Sequence, residues 1–175
     1  NVSDAVIVRF PEPLGHDVGR TVGAKLSTAE ILLFIDGDFP ILAEHLTPFI
    51  QAVDRGYDIA LNNITPYLHQ FHTWDRVTVI KKFLNVSLFR PDLQANSLTA
   101  VPHAMSRKAV ETIGCQNLYI PPKALSIAVL RQLKICSPMS VDVITSNRLR
   151  RQNTGAANPV SEMITGDHLE ALSLA

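Results

Sequence analysis

Residues 30–40 read EILLFIDGDFP. Ile31 to Ile35 form a continuous apolar run with no polar alternation. A strand of that composition is covered on both faces, as parallel strands are when helices pack on either side of the sheet. The run stops at Asp36-Gly37-Asp38, with Pro40 just beyond. Two carboxylates two residues apart, past the C-terminal end of such a strand, fall on the edge of an open α/β sheet where ligands bind. Gly37 removes the side chain between them, so the backbone can bend and turn Asp36 and Asp38 toward one ion. Carboxylate oxygens suit hard divalent cations such as manganese or magnesium, and the usual magnesium arrangement is one or two carboxylates plus substrate phosphates. D-G is also ordinary turn chemistry, so the pair alone weighs evenly between a metal site and a solvated turn.

Outward from this stretch the pattern alternates. Residues 5–10 (AVIVRF) are a β-branched apolar run ended by Pro11 and Pro13, which predicts a strand. Residues 14–19 form a loop and 20–29 a helix. Residues 43–55 predict an amphipathic helix stopped by Gly56, and 58–61 (DIAL) the next strand. Strand, helix, strand, helix, strand at this spacing is the α/β signature, with residues 31–35 as its central parallel strand. Further on, 62–74 is loop-rich, 77–89 helical, and 91–101 loop with a short strand. A helix over 106–113 is capped by Ser106 and stopped by Gly114. Another helix spans 122–133, a last strand 141–144, and a closing helix 159–174. Residues 147–158 are polar and carry Arg148, Arg150 and Arg151.

The 175 residues suit one compact domain, residues 1–175. Sixteen basic and sixteen acidic residues cancel, which argues against a general nucleic-acid binder. Cys115 and Cys136 form no C-x-x-C motif, so neither a zinc knuckle nor a redox motif is indicated, and a reducing cytoplasm is the expected compartment. No stretch approaches the roughly 20 apolar residues of a membrane span.

The segment before the carboxylate pair, residues 15–38 (GHDVGRTVGAKLSTAEILLFIDGD), resembles the inverting glycosyltransferases of family 2, which have the GT-A fold. Their pattern is a Gly-containing loop, a basic residue, a small residue and Gly, a helix, an acidic residue, an apolar strand and D-x-D. Arg20 stands at the basic position, Thr21 replaces the usual Asn, Gly23 matches the glycine and Glu30 opens the strand. Arg20 precedes Asp36 by 16 residues, the family's customary spacing. The resemblance covers residues 5–62 well and the rest weakly. It implies a Rossmann-like, mostly parallel sheet in three layers, and a nucleotide-diphosphosugar donor beside this edge. It further implies a divalent metal held by Asp38 with Asp36 on the ribose or the metal shell, and Arg20 near the base or phosphates. The acceptor implied is a saccharide or a lipid-linked molecule, which would place the chain at the inner face of a membrane. Some members bring a C-terminal histidine to the metal, which makes His168 a candidate ligand, against the competing reading of a helix-surface histidine. Arg148, Arg150 and Arg151 are placed to close over a diphosphate, against a plain solvated charge run.

Two departures from the family stand out. No strand with an acidic residue for the nucleobase precedes residue 5, so the family's first strand is expected to be missing. Pro121-Pro122 occupy the place of the acidic pair that supplies the base. The acceptor is then either already ionised or activated by another carboxylate, with Asp75 and Asp92 as candidates. His69 and His72 form H-x-x-H, able to share a metal if helical, and are read here as surface or acceptor-binding residues. His16 lies near the donor loop. The competing readings are three. A haloacid-dehalogenase-type phosphatase lacks its Thr or Ser after the pair. A sugar nucleotidyltransferase shares the fold class. A non-catalytic nucleotide-sugar-binding domain is favoured by the missing base.

Overall fold

The computed structural model describes residues 5–37, 39–144 and 159–175. A four-stranded mixed sheet forms from β1 (Ile31–Phe34), β2 (Ile59–Asn62), β3 (His103–Ser106) and β4 (Ile135–Met139) in the order β1-β3-β2-β4. β3 runs antiparallel to both β1 and β2, and β2 pairs β4 in parallel. The six helices are α1 (Val18–Leu26), α2 (Ala43–Asp54), α3 (Arg76–Ser87), α4 (Arg107–Ile113), α5 (Pro121–Leu130) and α6 (Pro159–Leu172).

Side-chain alternation along the strands makes the layers. Leu32, Ile59, Leu61, Met105 and Ile135 face one way and pack with Ala24 of α1, Val110 of α4 and Leu125 of α5. Ile31, Leu33, Ala60, Ala104 and Cys136 face the other way, against Phe49, Ala52 and Val53 of α2. Each fully buried Leu, Ile or Phe contributes roughly 1.5–3 kcal/mol of transfer free energy. On the far side of α5, α6 packs against α3, joining Leu84, Leu88 and Ala171.

Polar ties fix the joints. Asn62 is fully buried: its Oδ1 accepts from Val141 N at 2.8 Å, and its Nδ2 donates to Val141 O at 2.9 Å and Val101 O at 3.4 Å. Arg107 donates to the carbonyls of Ala24 (3.3 Å), Ser27 (2.7 Å) and Ala29 (2.8 and 3.1 Å). It thereby satisfies the last carbonyls of α1 and the turn into β1. α4 starts at the Ser106 cap, whose Oγ accepts from Ala109 N at 3.0 Å, and stops at Gly114, which has φ +82°.

Several sequence expectations change. Residues 5–10 are exposed and form no strand. The apolar run at 31–35 is a strand over Ile31–Phe34, with Leu32 buried on one face, Ile31 and Leu33 half-buried on the other, and Ile35 exposed beyond its end. It is nevertheless an edge strand of the described sheet and pairs antiparallel, not a central parallel strand. Two-sided cover explains its composition wherever it sits in the sheet order. The sheet is accordingly mixed rather than mostly parallel. The short strand expected within 91–101 lies at His103–Ser106, and the last strand lies at Ile135–Met139 rather than 141–144. Pro138 is tolerated there because β4 is an edge strand. Cys115 and Cys136 are free thiols.

Candidate functional site

β1 delivers Asp36 to the sheet edge, where its exposed carboxylate lines a cavity of about 460 Å³. Asp38 lies outside the described residues, as do Arg148, Arg150 and Arg151. The cavity wall comes from His16 before α1, from Tyr67, Leu68, His69, Thr73 and Trp74 after β2, and from Asp75, Thr78 and Lys81 of α3 and its cap. Thr99 to Val101 and, on α6, Val160 and Ile164 complete it. α3 begins there because Asp75 Oδ1 accepts from Thr78 N at 2.7 Å. Trp74 is held by an indole hydrogen bond to His69 O at 2.7 Å, with the Lys82 ammonium 5.6 Å above its ring.

Arg20 is mostly buried rather than solvated. It pairs with Asp17 Oδ1 at 3.0 Å and donates to Leu98 O at 2.6 Å, which ties α1 to the loop before β3. Burial raises the Asp17 carboxyl, Arg20 and His16 lower it, and Asp36 raises it again, so these groups share one field. Asp167 on α6 joins them: burial raises it first, then Asp17 and Glu170, while His16 opposes. Burial also pulls the Lys81 ammonium down to about 8, with Asp75 opposing and Arg20 reinforcing.

The remaining candidates separate. Gly23 sits on the exposed side of α1, where an added Cβ would meet nothing within 4 Å, so no close approach demands glycine there. Asp92 is locked by Arg90 in a two-pronged pair at 2.8 and 2.7 Å, which lowers its carboxyl, and it does not line the cavity. Asp75 does line it. His168 is fully buried; its Nδ1 donates to Ile164 O at 2.6 Å, its Nε2 has no partner, and burial lowers it to about 4. It is therefore no helix-surface histidine. His69 lines the cavity, whereas His72 sits in the short 3-10 turn Phe71–Thr73 and does not. Among the described residues no three His, Cys, Asp or Glu side chains are grouped to hold a metal unaided. One exposed carboxylate beside a cavity still matches the arrangement in which a divalent cation relies on substrate phosphates for further ligands.

Pro121 and Pro122 open α5 and are both buried. Pro121 lines a small gap with Arg20, Phe34 and His103. The start of α5 is thus packed with pyrrolidine carbon beside Arg20 and Phe34, and its first turn carries no acidic residue. Trp74, Lys81, Thr99 and Asp167 were not singled out from the sequence. No local signal marks Lys81, since a lysine on the helix expected over 77–89 reads as solvated.

No curated protein and no solved structure matches this chain. The family model for glycosyl transferase family 2 matches residues 2–114, well over half its length, from before α1 through the end of α4. The chain therefore belongs to glycosyl transferase family 2.

Proposed function

We propose that the chain transfers a sugar from a nucleotide-diphosphosugar to an acceptor held in the cavity beside Asp36, with a divalent cation at Asp36 and Asp38. The observation that carries this reading is the position of Asp36. Its carboxylate is exposed at the C-terminal end of β1 and opens onto a cavity roomy enough for a ligand. When bound, a manganese or magnesium ion there would stabilise the charge that develops on the leaving diphosphate. The chain's own groups bind and orient. Arg20, fixed by Asp17, contributes positive charge behind the site, and the Trp74 ring gives the cavity a rigid face.

The test is calorimetry of uridine and guanosine diphosphates with manganese. One of them should bind the unaltered chain. Asp36→Ala should weaken that binding at least about tenfold, the loss of one charge-assisted contact, without lowering the melting temperature. Unchanged affinity in the variant would overturn the assignment. A second reading, nucleotide-sugar binding without transfer, is favoured by the first turn of α5, which carries two buried prolines and no acidic residue. Manganese-dependent donor hydrolysis, present in the chain and lost in Asp36→Ala, would exclude it.

A further inference from the structure

Five carboxylate, imidazole and amine side chains line the cavity: His16, Asp36, His69, Asp75 and Lys81. The first four are exposed, whereas Lys81 is half-buried. Val77 stands one turn before Lys81 on the same face of α3, and Val160 and Ile164 of the adjoining α6 line the cavity with them. The Lys81 amine has no ion pair or hydrogen bond among the described residues. Three groups on other turns share its field: Asp75 at the cap of α3, Arg20 of α1 and His168 of α6. Asp36, His16 and His69 share the cavity without pairing to it. The Asp75 Oδ1 is engaged by Thr78 N, and Arg20 by Asp17 and Leu98 O. Burial holds Lys81 at about 8, with Asp75 opposing and Arg20 reinforcing. About a tenth of the amine is then neutral at pH 7, against less than about a thousandth for an ordinary lysine. The Thr99 hydroxyl lines the same cavity, buried and unpartnered, a hydrogen-bonding position open to a polar ligand.

We propose that Lys81 is the general base of the transfer, its amine taking the proton of an acceptor hydroxyl held in the cavity. This rests on the reading of the cavity as the transfer site. The proton passes from the hydroxyl oxygen to Lys81 Nζ as that oxygen bonds to the anomeric carbon. The bond from that carbon to the diphosphate oxygen breaks, and its electron pair leaves with the nucleoside diphosphate. The ammonium so formed gives its proton to solvent, which returns the amine to its starting state. An alcohol is a poor nucleophile near neutral pH until this proton moves, and a base works best when its own pKa lies near the working pH. Asp75 is the rival base in the same wall, but it is exposed and one of its oxygens is committed to the start of α3.

Hydrolysis of uridine diphosphoglucose, uridine diphospho-N-acetylglucosamine and guanosine diphosphomannose with manganese puts water in place of the acceptor, and water needs the same base. With the unaltered chain, kcat/KM for the sugar that is cleaved should rise about tenfold per pH unit up to about pH 8 and then level off. That profile needs no variant to fold. Lys81→Arg, which keeps the charge, and Lys81→Gln should each lower the rate about a hundredfold or more and flatten the profile, with manganese–nucleotide affinity held within about twofold. Ethylamine in solution should restore part of the rate to Lys81→Ala. Asp75→Asn keeps a good cap for α3 and should move the break in the profile to lower pH, because the carboxylate that holds the proton on Lys81 is gone. A flat profile in the unaltered chain, or full activity in Lys81→Arg, overturns the proposal. So does an inactive Asp75→Asn beside an active Lys81→Arg, which makes Asp75 the base. If the nucleotide binds but none of the three sugars is cleaved, the proposal falls and the binding-only reading stands. If both Lys81 variants weaken the nucleotide, Lys81 serves the donor: the proposal falls and the transferase reading stands. If the Lys81 variants behave as expected while Asp36→Ala keeps full activity, the base stands and the metal assignment falls.

Discussion

Lys81 shows how one side chain can weaken a fold while lining a cavity. Its ammonium is drawn out of water and held at about 8, below the ordinary 10.5. The unfolded chain therefore binds the proton more tightly than the folded one between these two values. Stability from this residue is lowest below about pH 8 and recovers as pH rises toward 10.5. A shift of one unit corresponds to about 1.4 kcal/mol, and residual solvent access reduces the total, so a penalty on the order of 1–2 kcal/mol remains at pH 7. Lys81→Met should raise stability by about that amount at pH 7, and the gain should shrink by pH 10. Urea unfolding of both chains at the two pH values checks it; a gain independent of pH would mean packing rather than charge is responsible. Nothing about Lys81 was legible from composition. A lysine on an amphipathic helix reads as solvated unless the cavity behind it is known. The position of Asp36 at the sheet edge was legible, because it follows directly on an apolar strand, but its role was not, because D-G is also ordinary turn chemistry.

At the scale of elements, what could be read depended on whether the signal was local. The Ser106 cap and the Gly114 stop of α4 are local, and both stand where the sequence places them. β3 was misplaced because HAMS shows no run of β-branched residues; its four residues pair with β1, and Ala104 and Met105 pair with β2 as well. Arg107 was unreadable for the same reason, since its partners lie 78 to 83 residues away. Its four hydrogen bonds close the C-terminal end of α1 and the turn into β1, and through β1 they set the position of Asp36. Arg107→Met should therefore destabilise by about 2–3 kcal/mol, because the carbonyls of Ala24, Ser27 and Ala29 lose a charged donor. It should also loosen manganese–nucleotide binding, although Arg107 does not line the cavity. Thermal unfolding and calorimetry on the same variant measure both; a destabilised protein with unchanged affinity would show that β1 holds Asp36 without this tie.

For the whole molecule, the residues that lack a place are as informative as those that have one. Val6 is 80% and Ile7 75% exposed, with Val8 and Phe10 about half exposed. The sequence reading of residues 5–10 as a strand followed from β-branching, which describes a surface suited to pairing and packing, not a structure the segment can hold alone. A strand exists only where it pairs with a neighbour, and among the described residues the segment 5–10 pairs with none. Among the described residues β1 keeps an unpaired edge, since it bonds to β3 alone. An apolar extended segment and a free strand edge on one chain favour edge-to-edge association. Net charge adds little repulsion, because the sixteen basic and sixteen acidic residues cancel. The chain of residues 1–175 should accordingly self-associate in a concentration-dependent way near pH 7. Replacing Val6 and Val8 with Lys should shift it toward monomer without altering the melting temperature, because neither side chain is buried and each added charge penalises pairing. Light scattering across a concentration series decides the matter. A chain that stays monomeric at high concentration, or a double-Lys variant that associates as strongly, would show that these surfaces are not the ones that pair.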